Sequence, residues 1–216
     1  MRFALLAAIP GLLLAATPLP GAAQGQAQMP APGQGASPGQ GGSPGQGGSP
    51  GQSASQAQRN LDSAFEALRE AEDERGAHMA EMAIRQIWAR QASAAVALLL
   101  NRGIRNLRAN QAGDALEDFD AALTLAPLAA DAWHWRAQAH QIVGDRVAAA
   151  GDLRECLRLE PRHFAALVSL SRLQEEAGDA RGALRSHEAA LAIHPRLAGG
   201  AERLRELIRA AEGEAM

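Results

Sequence analysis

Lysine and tyrosine are absent from this 216-residue chain, cysteine occurs once, and aromatic residues make up 3% of it. A single cysteine cannot close an internal disulfide, and it leaves a cysteine-rich zinc site without ligands. Cys156 falls at a small-residue position on the inner face of a predicted helix, where a buried, inert thiol is expected. With lysine missing, arginine carries all the strong positive charge, and Arg2 is the only charged residue before Arg59. The net charge is -3. The remainder of the chain is therefore mildly acidic, which excludes a general nucleic-acid surface. Chemistry-bearing patterns are missing as well. No phosphate-cradling glycine loop or Gly-x-Ser-x-Gly elbow lies in the helical part. The six histidines, His78, His134, His140, His163, His187 and His194, form no His-x-x-x-His or His-Glu-x-x-His pair on one helix face. His134 and His140, six apart, do not share a line. No catalytic residue, cofactor or metal site is expected, and His163 and His194, flanking prolines, are expected in solvent.

What is present falls into two compositional regimes. Residues 1–23 pair Arg2 with two apolar runs split by Pro10 and Gly11 and end in Gly21, Ala22 and Ala23. The apolar stretch is too short to span a bilayer well, and the pattern is that of an export signal cleaved near Ala23. It implies a periplasmic protein with no stable membrane insertion after cleavage; if retained, the segment would be a membrane tether. Residues 24–58 are Gly, Pro, Gln, Ser and Ala, with Ser-Pro-Gly-Gln-Gly-Gly at 37–42 and 43–48 and a variant at 49–54. Such a stretch has little to bury and is expected to be a disordered linker with a mean reach of about 30 Å.

After Pro50 only three prolines occur, Pro127, Pro161 and Pro195, at intervals of 34 residues, and each closes a helical pattern. Proline lacks the backbone donor and stops a helix. Three stops at one interval mark three copies of one unit. Alignment on them brings Gly103, Ala137 and Ser171 into register, then Ala115, Ala149 and Ala183, then Phe119, Leu153 and His187, then Ala122, Cys156 and Ala190. Gly144-Asp145 and Gly178-Asp179 place a helix end and the next helix's cap inside the second and third units.

This register resembles the tetratricopeptide repeat (TPR) family, whose 34-residue helix-turn-helix unit has small and aromatic residues at these offsets, with Trp133 on the first aromatic position. The resemblance implies an all-α superhelix of helix-turn-helix repeats, an α-solenoid with terminal capping helices, preceded by the disordered segment. The units are a degenerate TPR-like hairpin at 59–92, repeats at 93–127, 128–161 and 162–195, and a capping helix and tail at 196–216. The first hairpin, with Leu61, Phe65 and Leu68 and then Met79, Met82, Ile87 and Trp88, is expected to cover the open face of the first repeat, as terminal units do in a stack. His187, at an aromatic position, is expected to be packed.

A TPR superhelix further implies a concave groove lined by the first helix of each repeat. Carried over by position, the groove comprises Ala97, Leu100, Asn101 and Ile104; Asp131, His134, Trp135, Gln138 and Gln141; and Ala165, Val168, Ser169, Arg172 and Glu175. The Lys and Asn pattern that clamps a C-terminal carboxylate in some TPR domains is absent. The expected function is a non-catalytic scaffold or adaptor that binds a protein, as a peptide or partner helix, in a bacterial envelope. Self-association through the terminal helices and an accessory role beside an envelope enzyme are the competing readings.

Overall fold

A computed structural model describes residues 50–213, which form an all-α solenoid. The expected export signal and the two complete hexads lie outside the described residues. Nine helices occur among the described residues: α1 (Pro50–Arg69), α2 (Glu74–Gln91), α3 (Ala94–Arg108), α4 (Ala112–Leu125), α5 (Ala130–Val143), α6 (Arg146–Leu159), α7 (Phe164–Glu176), α8 (Ala180–Ile193) and α9 (Gly200–Gly213). The pairs α3/α4, α5/α6 and α7/α8 are the three repeats, each packing on the next, and α9 packs on α8. Pro127 and Pro161 fall in the turns between repeats, and Pro195 in the turn between the third repeat and α9.

The turns within repeats follow from local chemistry. Gly144 and Gly178 take φ of 84° and 83°, a left-handed conformation that costs glycine little. The next residue then caps the following helix: Asp145 accepts from the Ala148 N–H at 2.9 Å and Asp179 from Gly182 at 2.7 Å. The first repeat makes the same turn with a different residue. Asn110, at φ 64°, supplies the left-handed step, which asparagine tolerates better than most side chains.

Inside each repeat a small residue on the first helix faces a larger one on the second. Gly103 lies against Phe119 so closely that an added methyl would sit 2.5 Å from the ring. The corresponding pairs are Ala137 with Leu153 and Ser171 with His187. The small partner grows as the aromatic is replaced, which is what close packing requires. His187 is buried as expected and its Nε2 stands 2.9 Å from the Gly200 carbonyl oxygen. A polar bridge repeats too. Asp118, 1% exposed, accepts from Arg102 Nε at 2.5 Å and Asn106 at 2.9 Å. One unit later Asp152 accepts from Arg136 Nε at 2.8 Å and Nη2 at 2.7 Å. In the third unit an uncharged bond, Ser186 Oγ to Gln174 at 2.6 Å, takes its place.

The N-terminal hairpin departs from expectation in two ways. Helix α1 begins at Pro50, inside the stretch 24–58 expected to be linker. Proline suits a first helical turn, and side chains four apart pair along it, as in Gln56 with Asn60 at 2.8 Å and Gln58 with Asp62 at 3.1 Å. The hairpin also does not stack on the first repeat. It docks on the third: Leu61, Phe65, Leu68, Ala77 and Ile84 share one core with Phe164, flanked by Ala165 and Ile193. Arg162 fixes the contact, bonding Asp62 at 2.8 Å and lying 4.3 Å over the Phe65 ring. Among the described residues no element covers the face of the first repeat, and Leu98 is 66% exposed while its counterparts Ala132 and Ala166 are fully buried.

Candidate functional site

The first helices of the repeats, α3, α5 and α7, lie side by side, and α9 continues their row. Polar side chains span the gaps between neighbours. His134 Nε2 stands 3.3 Å from Ser169 Oγ, Gln141 donates to the Ser169 carbonyl at 3.3 Å, and Arg203 on α9 pairs with Glu175 on α7. Several expected groove residues are therefore internal joints: Leu100, His134 and Ser169 are buried, and Glu175 is engaged. Ala97, Ile104, Gln138, Gln141, Ala165 and Val168 are half-buried. Asn101 and Arg172 stand exposed with no side-chain hydrogen bond or ion pair recorded among the described residues. Trp135 is half-buried and donates to Asp131 at 3.2 Å. Trp133 packs into the core and donates to the Pro127 carbonyl at 2.8 Å.

The hairpin covers this row where α5 meets the start of α7. Trp88 on α2 lies flat on His163, with centroids 4.6 Å apart and planes 4° from parallel. Arg85 and Trp88, with Asp131, His134, Trp135, Gln138, His163, Phe164 and Ala165, enclose a cavity of about 80 Å³. His163 and His194 are thus buried, 1% and 3% exposed, rather than in solvent. The reason is the docked hairpin, which covers the turns that hold them. His163 caps α7, its Nδ1 accepting from the Ala166 N–H at 3.1 Å. His194 lies edge-on to Phe164 and 3.7 Å from Glu81. A second cavity, about 350 Å³, lies between α7 and the start of α9, lined by Val168, Arg172, His187, Gly199 and Arg203.

Burial governs the protonation of these groups. It pushes His134 down to about 3, helped by the neighbouring His163 and Arg85 against the pull of Asp131. It also lowers His194, more than Glu81 raises it. For Asp131 burial acts upward, but His163, His134 and Trp135 together outweigh it and hold the carboxyl below the usual range. Burial drives the Cys156 thiol up, in keeping with an inert buried cysteine.

Sequence reasoning assembled Asp131, His134 and Trp135 but missed Arg85, Trp88 and His163 beside them. No spacing could have joined these, because the hairpin reaches them across two repeats. The Asp118 and Asp152 bridges were missed too, although their spacing of 34 residues was a signal that could have found them.

The architecture is that of an α-solenoid with its first helices in a row. The three hairpins that build it have the fold of tetratricopeptide repeats. A TPR repeat-containing protein of Rhizobium etli is 28% identical over 138 residues, covering 64% of this chain and 68% of that protein. The first TPR domain of Spaghetti (RPAP3), bound to the HSP90 peptide SRMEEVD, superposes with a TM-score of 0.54 at 16% identity, over 56% of this chain and 98% of that domain. The Sgt2 TPR domain of Aspergillus fumigatus gives 0.52 at 20% identity, over 58% and 86% of the two chains. No family model matches the chain.

Proposed function

We propose that this protein is a non-catalytic interaction module that holds a peptide or a helix of a partner protein along the row of α3, α5 and α7. The observation that carries the reading is the pair of exposed polar side chains on that row, Asn101 and Arg172, which the fold itself does not use. They flank half-buried Ile104, Trp135, Gln138 and Gln141, a mixture of apolar contact and directed hydrogen bonding typical of interface anchors. The structurally similar Spaghetti domain holds a peptide, which supports the same use here. The pattern of residues 1–23 supports action in the periplasm of a bacterium, with cleavage near Ala23. The mature N-terminus, read by mass spectrometry on an envelope fraction, tests that location.

The test of binding is affinity capture from an envelope extract by the wild type and by an Asn101→Ala, Arg172→Glu variant. Loss of a specific partner from the variant, with unchanged circular dichroism and melting, is expected. Identical captured proteins would remove the groove from consideration. A second reading, self-association, draws on the open face of the first repeat around Leu98. Light scattering showing the wild type as a dimer and Leu98→Glu as a monomer would favour it.

A further inference from the structure

We propose that Asp131, His134 and His163 form a binding site for a divalent transition-metal ion of the zinc class. One ligand atom from each lies within 4.8 Å of the others. Asp131 Oδ1 and His163 Nε2 are 3.5 Å apart, close to the edge of about 3.4 Å between ligands placed around a tetrahedral zinc ion. Both histidines are buried, at 3% and 1% exposure, and among the described residues Nδ1 of His134 has no hydrogen-bond partner while Nε2 of His163 has only the long approach of Asp131 itself. Buried polar atoms are ordinarily satisfied, and two orphaned imidazole nitrogens beside a carboxylate are satisfied together by one cation. Two imidazoles and a carboxylate are a donor set suited to zinc, cobalt or nickel.

The surroundings complete the site. His134 Nε2 accepts from the Gln138 amide at 2.9 Å and stands 3.3 Å from Ser169 Oγ. Coordination through Nδ1 moves the ring proton to Nε2, where, with the Gln138 amide turned, Ser169 Oγ accepts it as the outer bond that orients a metal-ligating histidine. The adjoining cavity of about 80 Å³ has room for a water as fourth ligand. Arg85 lines that cavity, but its charge is paired with Glu81 at 2.6 Å. Trp88, flat against His163, shields the ring from solvent. The ion also changes the tautomer of His163. The bond from the Ala166 N–H to His163 Nδ1 fixes the ring proton on Nε2. Coordination through Nε2 displaces that proton, and its transfer to Nδ1 releases the Ala166 amide. The ligands come from α5 and the turn before α7, with the hairpin stacked on them, so the ion joins the second repeat, the third repeat and the hairpin at one point. His134 and His163 lie 29 residues apart in separate repeats, which is why no spacing disclosed them.

The experiment uses the untagged full chain, stripped with EDTA and dialysed, titrated with cobalt(II) alone and then with zinc(II). The expected result is saturation at one equivalent per chain with the intense visible bands of tetrahedral cobalt, displacement by zinc, and a zinc-induced shift of the Ala166 amide resonance. Asp131→Asn should weaken binding at least tenfold, whereas His78→Ala, at an exposed histidine, should leave it unchanged. No saturable binding, unaltered affinity in Asp131→Asn, loss of binding in His78→Ala, or an Ala166 amide unmoved in the wild type would each overturn the proposal.

Discussion

Replacing Gly103 with alanine tests the packing rule that the three repeats share. In an exposed helix this change stabilises by about 1 kcal/mol, because glycine pays more backbone entropy. Here the new methyl would sit 2.5 Å from Cε1 and 2.7 Å from Cζ of Phe119, a ring with no exposure. Ordinary carbon contact needs a retreat of about 1 Å, and overpacking of this kind costs about 1–3 kcal/mol. The net expectation is destabilisation of about 1 kcal/mol, a fall of about 2–4 °C in Tm for a domain of this size. Gly151, in the middle of α6 with nothing within 4 Å of an added methyl, supplies the opposite sign: its alanine variant should gain about 0.5–1 kcal/mol. Phe119→Leu combined with Gly103→Ala recreates the Ala137 and Leu153 pair of the second repeat. The two changes should therefore couple favourably in a double-mutant cycle, measured by urea unfolding. A stabilising Gly103→Ala, or strict additivity with Phe119→Leu, would refute the reasoning.

Two further outcomes follow from the docked hairpin. Phe164→Ala removes the third-repeat member of the hairpin core, 2% exposed, and should cost about 3–5 kcal/mol; hydrogen exchange should show amides of α1 and α2 losing protection before those of α3 to α6. His194 is held below its ordinary pKa by burial, so below about pH 6.5 the unfolded chain takes up a proton that the folded one resists, and stability falls as pH falls. In EDTA-containing buffer this contributes at most about 1.3 kcal/mol between pH 7 and 5.5, and His194→Gln should flatten that part of the stability profile; parallel profiles for the two proteins would contradict it.

The repeat fold was legible because its marks are local. A proline ends a helix wherever it stands, and a Gly-Asp pair turns and caps the chain with no help from distant residues, so the second and third repeats were placed by inspection. The first repeat's turn was harder to read, since Asn110 does the work of a glycine. The position of the hairpin was not legible at all. Its apolar face, Leu61, Phe65 and Leu68, announces burial without naming what covers it, and Phe164 and Arg162 become its partners only through the curvature of the repeats. That one tertiary choice buries His163 and His194, both expected in solvent, and leaves Leu98 bare. The groove positions carried over by register fall on α3, α5 and α7, but which of them face outward depends on how closely neighbouring first helices approach. Ser169, bridged from His134 and Gln141, is a joint for that reason, whereas Arg172, one turn on, remains outside.

Site-specific photo-crosslinking in the native cell tests the binding role most directly. A benzoylphenylalanine placed at Arg172, on the row of first helices, is compared with one at the exposed Glu188 on α8. A discrete crosslinked partner from position 172 and none from 188 is the predicted result. Crosslinks from 188 alone, or the same products from both, would contradict recognition along the first helices.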